Sequence, residues 1–216
     1  MSSTYLQLVN NVLVRLRENE VSSVSDTPYS SLIGILVNDA KREVEDAHDW
    51  NCLSQTIIVP TVAGTYQYTL TGSGQRFTTS EVLNDTRDCV MRQAPRTWVN
   101  QQYYIGQSST SAPEYYVYDG VSGDDTVVNL WPIPDNVYNL RFELKVPQED
   151  LSANADVLKV PSHLVQLLAH AKAISERGED SGQPFAELYQ QYRLALADAI
   201  ALERNRYAED VVWTDV

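Results

Sequence analysis

The hydrophobic period of this chain changes twice. Apolar residues recur at steps of three and four over the first fifty or so positions. They alternate through the middle, then return to the longer step after about residue 160. The longer step is the repeat of an amphipathic helix and the alternation is that of a half-buried strand. A chain patterned in this way is α+β. The expected architecture is a four-helix platform, with two helices from each end of the chain, carrying a central antiparallel β insertion and followed by an extended C-terminal tail. The corresponding segments are an N-terminal helical hairpin (1–52), a β-rich insertion (53–147), a C-terminal helical pair completing the helical domain (148–205) and a tail (206–216).

The first helix carries Tyr5, Val9, Val12 and Leu16 on one stripe, with Leu6 and Leu13 beside it. SSVSDTP breaks it, and Pro28 suits the first turn of a second helix. Ile33, Leu36, Ala40, Val44 and Ala47 form the expected buried face of that helix, with Lys41, Arg42, Glu43, Glu45 and Asp46 turned to solvent. From about residue 53, TIIVPTVAGTYQYTLTGSG alternates around Gly64 and reads as a hairpin. Further strands are expected at EVLND, DCVMRQ, EYYVYDG, DTVVNLWPIP and VYNLRFELKVP, with a short helix at PRTWVNQQYYIG. Pro132 and Pro134 donate nothing to a ladder, so LWPIPD ends a strand at an edge or corner, with Trp131 over it. Pro161 opens the third helix, lined by Leu164, Leu167, Leu168, Ala171 and Ile174, and Gly178 suits its left-handed end. Pro184 opens the fourth, with Phe185, Leu188, Tyr192, Ala195, Ala199 and Leu202 on its stripe, flanked by Leu196 and Ile200.

Composition removes several classes of function. A net charge of −13 over 216 residues opposes the gripping of phosphates, which draws on clustered Lys and Arg. The opening MSSTYLQLVNNVLVRL lacks the basic and uninterrupted apolar parts of a signal peptide. No apolar run is long enough to span a membrane. Cys52 and Cys89 are too few for a disulfide scaffold and read as reduced thiols.

Catalytic patterns are equally scarce. His163 and His170 are seven residues apart on one helix, roughly 10 Å along its axis, too far to share a metal ion. His48 lies near Asp46 and Asp49 without a nucleophile pattern beside it. Gly-Ser-Gly after TYQYTLT has no following helix and reads as a turn rather than a phosphate cradle. No catalytic residue, metal site or cofactor is expected.

The last residues, AEDVVWTDV, set Val211, Val212, Trp213 and Val216 among acids. Tryptophan in a desolvated pocket is a strong interface anchor. The segment either folds back on its own helices or docks on a partner.

The order of these parts resembles a known arrangement. Two amphipathic helices end in DWNCL and a β section opens with VPTVAGTYQYTL. WPIPD and the return DLSANADVLKVPSHLVQLLAHAKAISERGED come next, then a long helix containing ELYQQYRLALADAIALERNR. This is similar to the head-to-tail adaptor proteins of tailed bacteriophages, also called connector, head completion or tail tubular A proteins. The resemblance covers nearly the whole chain and lies in arrangement rather than in a strict motif.

It implies a non-enzymatic virion neck protein, assembled in the host cytoplasm, that forms a ring of typically twelve copies under the capsid portal. The ring would join the portal to a tail nozzle or other tail component, help retain the genome and pass it during ejection without binding it specifically. By that analogy the tail docks on the portal through Arg206, Tyr207, Val211, Val212, Trp213 and Val216, and the ring interface includes Tyr192, Leu196 and Ile200. Two other readings stand beside it. One is a carbohydrate-binding tail module stacking sugars on Trp98, Tyr103, Tyr104, Tyr115, Tyr116 and Trp131. The other is a cell-wall hydrolase with a carboxylate pair that the sequence does not single out.

Overall fold

A computed structural model describes residues 3–106, 109–178 and 183–206. Among the described residues the chain forms five α-helices and two four-stranded sheets. In chain order the elements are α1 (Tyr5–Arg15), α2 (Pro28–Asp46), β1 (Ser54–Pro60), β2 (Gln67–Leu70), β3 (Thr78–Asn84), β4 (Cys89–Val90) and β5 (Arg92–Gln93). Then come α3 (Arg96–Tyr104), β6 (Tyr115–Ser122), β7 (Asp125–Trp131), β8 (Asn139–Lys145), α4 (Ser162–Arg177) and α5 (Gln183–Arg206). They form two compact units. One comprises Met1–Cys52 with Gln148–Val216, and the other Leu53–Pro147.

In the helical unit, capping side chains decide where the first two helices begin. Thr4 and Gln7 satisfy each other's backbone N–H groups ahead of α1, and Thr27 and Ser30 do the same ahead of α2, where Pro28 occupies the first turn. Gly178 takes φ 64° after α4, a left-handed conformation that glycine adopts without a Cβ penalty. Helix α4 packs against α1, α2 and α5. Leu8, Val9, Val12, Ile33, Val37, Ala40, Val44, Leu164, Val165 and Leu168 form the buried interior of these helices. The start of α1 is tied to the returning chain. Tyr5 N–H donates to the Asp156 carbonyl at 2.8 Å and Leu6 N–H to that of Asn154 at 3.2 Å.

Two details of α2 depart from the expected face. Val37 is buried where Leu36 is half-buried, and Ala47 is exposed. More consequentially, Lys41 and Glu45 are buried rather than solvated. The Lys41 ammonium bridges the Glu45 carboxylate and the Gln148 carbonyl, while Gln148 N–H donates to Glu45 Oε1 at 3.2 Å. The Gln148 side chain is also occupied, donating to the Val157 carbonyl and accepting from Lys159 N–H. A buried charge persists when it is paired and hydrogen-bonded, and the returning chain supplies those bonds.

In the β unit the sheets run β1-β8-β3-β4 and β2-β7-β6-β5. The expected hairpin around Gly64 is not formed. β1 pairs with β8 and β2 with β7, so the two strands flanking that turn enter different sheets. The pairing is antiparallel except between β5 and β6, a short parallel ladder. Ile57, Val59, Val82, Leu140, Phe142 and Leu144 of one sheet share a core with Leu70, Tyr116, Val128 and Leu130 of the other. β8 alternates as a strand covered on one face does. β7 is buried almost continuously. Helix α3 accounts for burial on the outer face of its sheet, with Val99 packed on Ala94 and Val117. The Trp131–Pro132 peptide bond is cis.

Candidate functional site

Among the described residues, helix α5 leaves more large apolar residues exposed than any other helix, namely Tyr189, Leu194 and Leu202. At 24 residues it extends about 36 Å. Tyr192 is its one fully buried hydrophobic residue among those described, at 4% exposure. Burial there, with the Glu43 and Tyr189 side chains nearby, pushes its phenol up to about 12. Leu188, Ala195, Leu196, Ala199 and Ile200 are half-buried. Leu202 was expected on the buried stripe and is instead 67% exposed.

A second face of α5 begins with Phe185 stacked on Tyr189 at 5.6 Å between ring centroids. It continues through Gln190, Arg193, Leu194 and Ala197. Leu194 is 63% exposed. Arg193 has no ion pair among the described residues. The stripe rule passed over Tyr189, Arg193 and Leu194 because they lie beside the buried seam. The available signal was Leu194, an apolar residue out of step with that seam.

The proposed tail residues fall differently. Arg206 is the last residue of α5. Tyr207, Val211, Val212, Trp213 and Val216 lie outside the described residues.

The aromatic residues of the β unit are largely committed to packing. Trp131 and Tyr116 are buried, Tyr103 donates its hydroxyl to the Leu130 carbonyl, and Trp98 packs on Tyr115 at 5.2 Å. Burial, with Tyr66 and Asp119 nearby, holds the Tyr103 phenol well above its ordinary value. Of the six residues considered for sugar stacking, Tyr104 is the one classed as exposed, beside Ile105 at the end of α3.

The titratable groups considered for chemistry are dispersed. His48 makes an edge contact with Trp50, His163 is exposed on α4, and His170 is half-buried there. Burial, aided by the Arg15 charge, lowers the His170 pKa. Cys52 and Cys89 are free and exposed. Among the described residues, no three His, Cys, Asp or Glu side chains are grouped to hold a metal ion.

Helix α5 thus leaves Tyr189, Leu194 and Leu202 exposed within its own unit. In comparison with known families, the SU10 adaptor protein family matches residues 3–213.

The chain belongs to the SU10 adaptor protein family.

The match supports the resemblance to phage head–tail adaptors and makes this adaptor a phage structural protein, a component of the virion that interacts with other head and tail parts. The comparison with curated proteins gives no significant match. Among the described residues, no helix of the adaptor is long and apolar enough to cross a membrane. The adaptor's charge is unevenly divided. The helical unit holds twenty Asp and Glu against ten Lys and Arg, and the β unit nine against six. Most of the net charge of −13 therefore belongs to the helical unit.

Proposed function

We propose that this adaptor forms a ring, twelve copies by analogy with other head-to-tail adaptors, joining the capsid portal to the tail or its nozzle. The two N-terminal and two C-terminal helices would act together as the platform of that ring. The observation that carries the reading is the family match over residues 3–213. An acidic helical unit favours a lumen that repels DNA phosphates and lets the genome pass without holding it. The segment after α5 docks on the portal, with Val211, Val212 and Trp213 as anchors and Arg206, Tyr207 and Val216 beside them. Assembly takes place in the host cytoplasm.

The test is direct. Full-length protein mixed with purified portal rings should give a second, stacked ring by electron microscopy. Deleting Val211 to Val216 should leave the fold intact by circular dichroism and abolish attachment. Unchanged attachment after that deletion would refute the docking role.

A further inference from the structure

The edges of the two sheets differ sharply in length. In one sheet the edge strands are β1, of seven residues, and β4, of two. In the other they are β2, of four residues, and β5, of two. An edge strand offers a row of backbone N–H and C=O groups to any chain that can pair with it. Proteins blunt such edges by keeping them short or by adding charge, proline or a bulge. β2, β4 and β5 are short. β1 has none of these devices before its last residue: SQTIIV carries no charge and no proline, and its register with β8 runs without a shift from Ser54 to Pro60.

The phase of the β1–β8 ladder decides which groups face outward. Thr61 N–H donates to the Tyr138 carbonyl at 2.8 Å, and the Leu53 carbonyl accepts from Val146 N–H at 3.0 Å. Hydrogen bonding alternates along an antiparallel strand, so Gln55, Ile57 and Val59 between them bond to β8. Ser54, Thr56 and Ile58 therefore turn their N–H and C=O groups to the open side. Among the described residues, no other strand pairs with that side. Ile58 is also 53% exposed on the outer face, whereas Ile57 and Val59 are buried in the core.

An open edge of this length is matched by a partner strand of similar length. Among the described edges of this chain, β1 alone provides one. β1 can pair with its own copy, antiparallel about a two-fold axis, the isologous contact of the commonest dimers. With Ile57 on the axis, the two Ile57 side chains meet on the core side. Thr56 of each copy then stands opposite Ile58 of the other on the outer side. Opposed residues share a face, so the in–out alternation continues across the seam. β-Branched cross-strand pairs stabilise such a ladder, and an uncharged strand brings no like charges together.

We propose that the free protein associates as a two-fold dimer through β1, joining the β1-β8-β3-β4 sheets of two copies into one continuous sheet. The contact closes on two copies, so it builds no ring and stands or falls apart from the ring reading. Two edges of this length bury less than a standard interface, so the dimer is weak, with a Kd on the order of tens of micromolar. Its effect is to cover, before assembly, the strand on which copies would otherwise aggregate.

Sedimentation of the full-length chain at rising concentration should show a reversible shift from monomer to dimer. Hydrogen exchange on the unaltered protein should protect the Thr56 and Ile58 amides as the dimer forms, while those of Ile57 and Val59 are protected throughout. Ile58→Pro removes an outward N–H and leaves the bonds to β8 in place, and Ile58→Lys sets a charge at the seam. Each should weaken the dimer by about tenfold or more, with the circular dichroism unchanged. With Cys52 and Cys89 changed to Ser, Thr56→Cys mixed with Ile58→Cys should give disulfide-linked dimers, and neither alone should do so. A disulfide requires Cα atoms within about 7 Å, so the directly opposed pair alone can form it. A monomer at every concentration would overturn the proposal. So would a dimer in which the Thr56 and Ile58 amides exchange as fast as in the monomer. Cross-linking of either single variant with itself, but not with the other, would count against it equally.

Discussion

Lys41 and Glu45 lie one turn apart on α2 at 3.2 Å, each with its side chain only 1% exposed. The pair is also hydrogen-bonded to the backbone of Gln148 on the returning chain. Removing one partner strips a buried charge of its counter-charge, which costs about 3–5 kcal/mol. Lys41→Met should lower stability by that amount in denaturant unfolding. The double variant Lys41→Met, Glu45→Leu should recover much of the loss. Equal losses in the single and double variants would mean that the charges are not coupled.

Gly34 is required by close approach. A Cβ at this position would stand 2.5 Å from Tyr5 Oη and 2.8 Å from Val24 Cγ1. Gly34→Ala should therefore destabilise the protein by about 1–3 kcal/mol despite the better helix propensity of alanine. Adding Tyr5→Phe removes the nearest atom and should restore part of the loss. Calorimetric melting of the three variants checks this.

The cap of α2 is a smaller and separable contribution. The Thr27 hydroxyl accepts from Ser30 N–H at 2.9 Å. Thr27→Ala should cost about 1 kcal/mol, and Thr27→Asp should largely preserve stability because its carboxylate can accept the same bond. A neutral Thr27→Ala in chemical denaturation would show that the neighbouring bonds of Ser30 suffice.

His170 predicts a pH dependence. Its folded pKa is lowered from 6.5, first by burial and then by the Arg15 charge. The unfolded chain therefore takes up a proton more readily than the folded one. The neutral ring's contribution is present above about pH 6.5 and is lost as pH falls through the lower folded value. Melting temperature should drop from pH 7.5 to pH 5 by more in the wild type than in His170→Gln. Parallel pH profiles for the two proteins would assign the acid sensitivity to other groups.

Helices were the most legible part of the fold because their signals are local. Pro28, Pro95, Pro161 and Gly178 all stand at helix boundaries, and the apolar steps between them mark the helices themselves. Strands were legible as segments but not as partners. The glycine turn between β1 and β2 is a short-range hairpin signal, yet each strand gains its ladder from a segment more than fifty residues away. Pairing at that distance leaves no mark in a single sequence. The buried Lys41–Glu45 pair was hidden because binary patterning turns every charge outward, while its compensating groups come from Gln148. The same rule grouped Tyr192 with residues exposed to different degrees along α5, because periodicity gives the centre of a seam and not its width.

The helical unit is built from two stretches separated by Leu53–Pro147. Helices α1 and α2 pack on α4, which follows that entire interval. At roughly 5–20 residues per second, a ribosome takes on the order of 5–20 seconds to translate the intervening segment. Throughout that time Leu8, Val9, Ile33 and Val37 have emerged without the later helix that completes their shelter. The β unit, contiguous in sequence, is under no such delay. The newborn chain thus passes through a stage with its sandwich complete and its first two helices still greasy, a window in which chaperone capture competes with premature clumping.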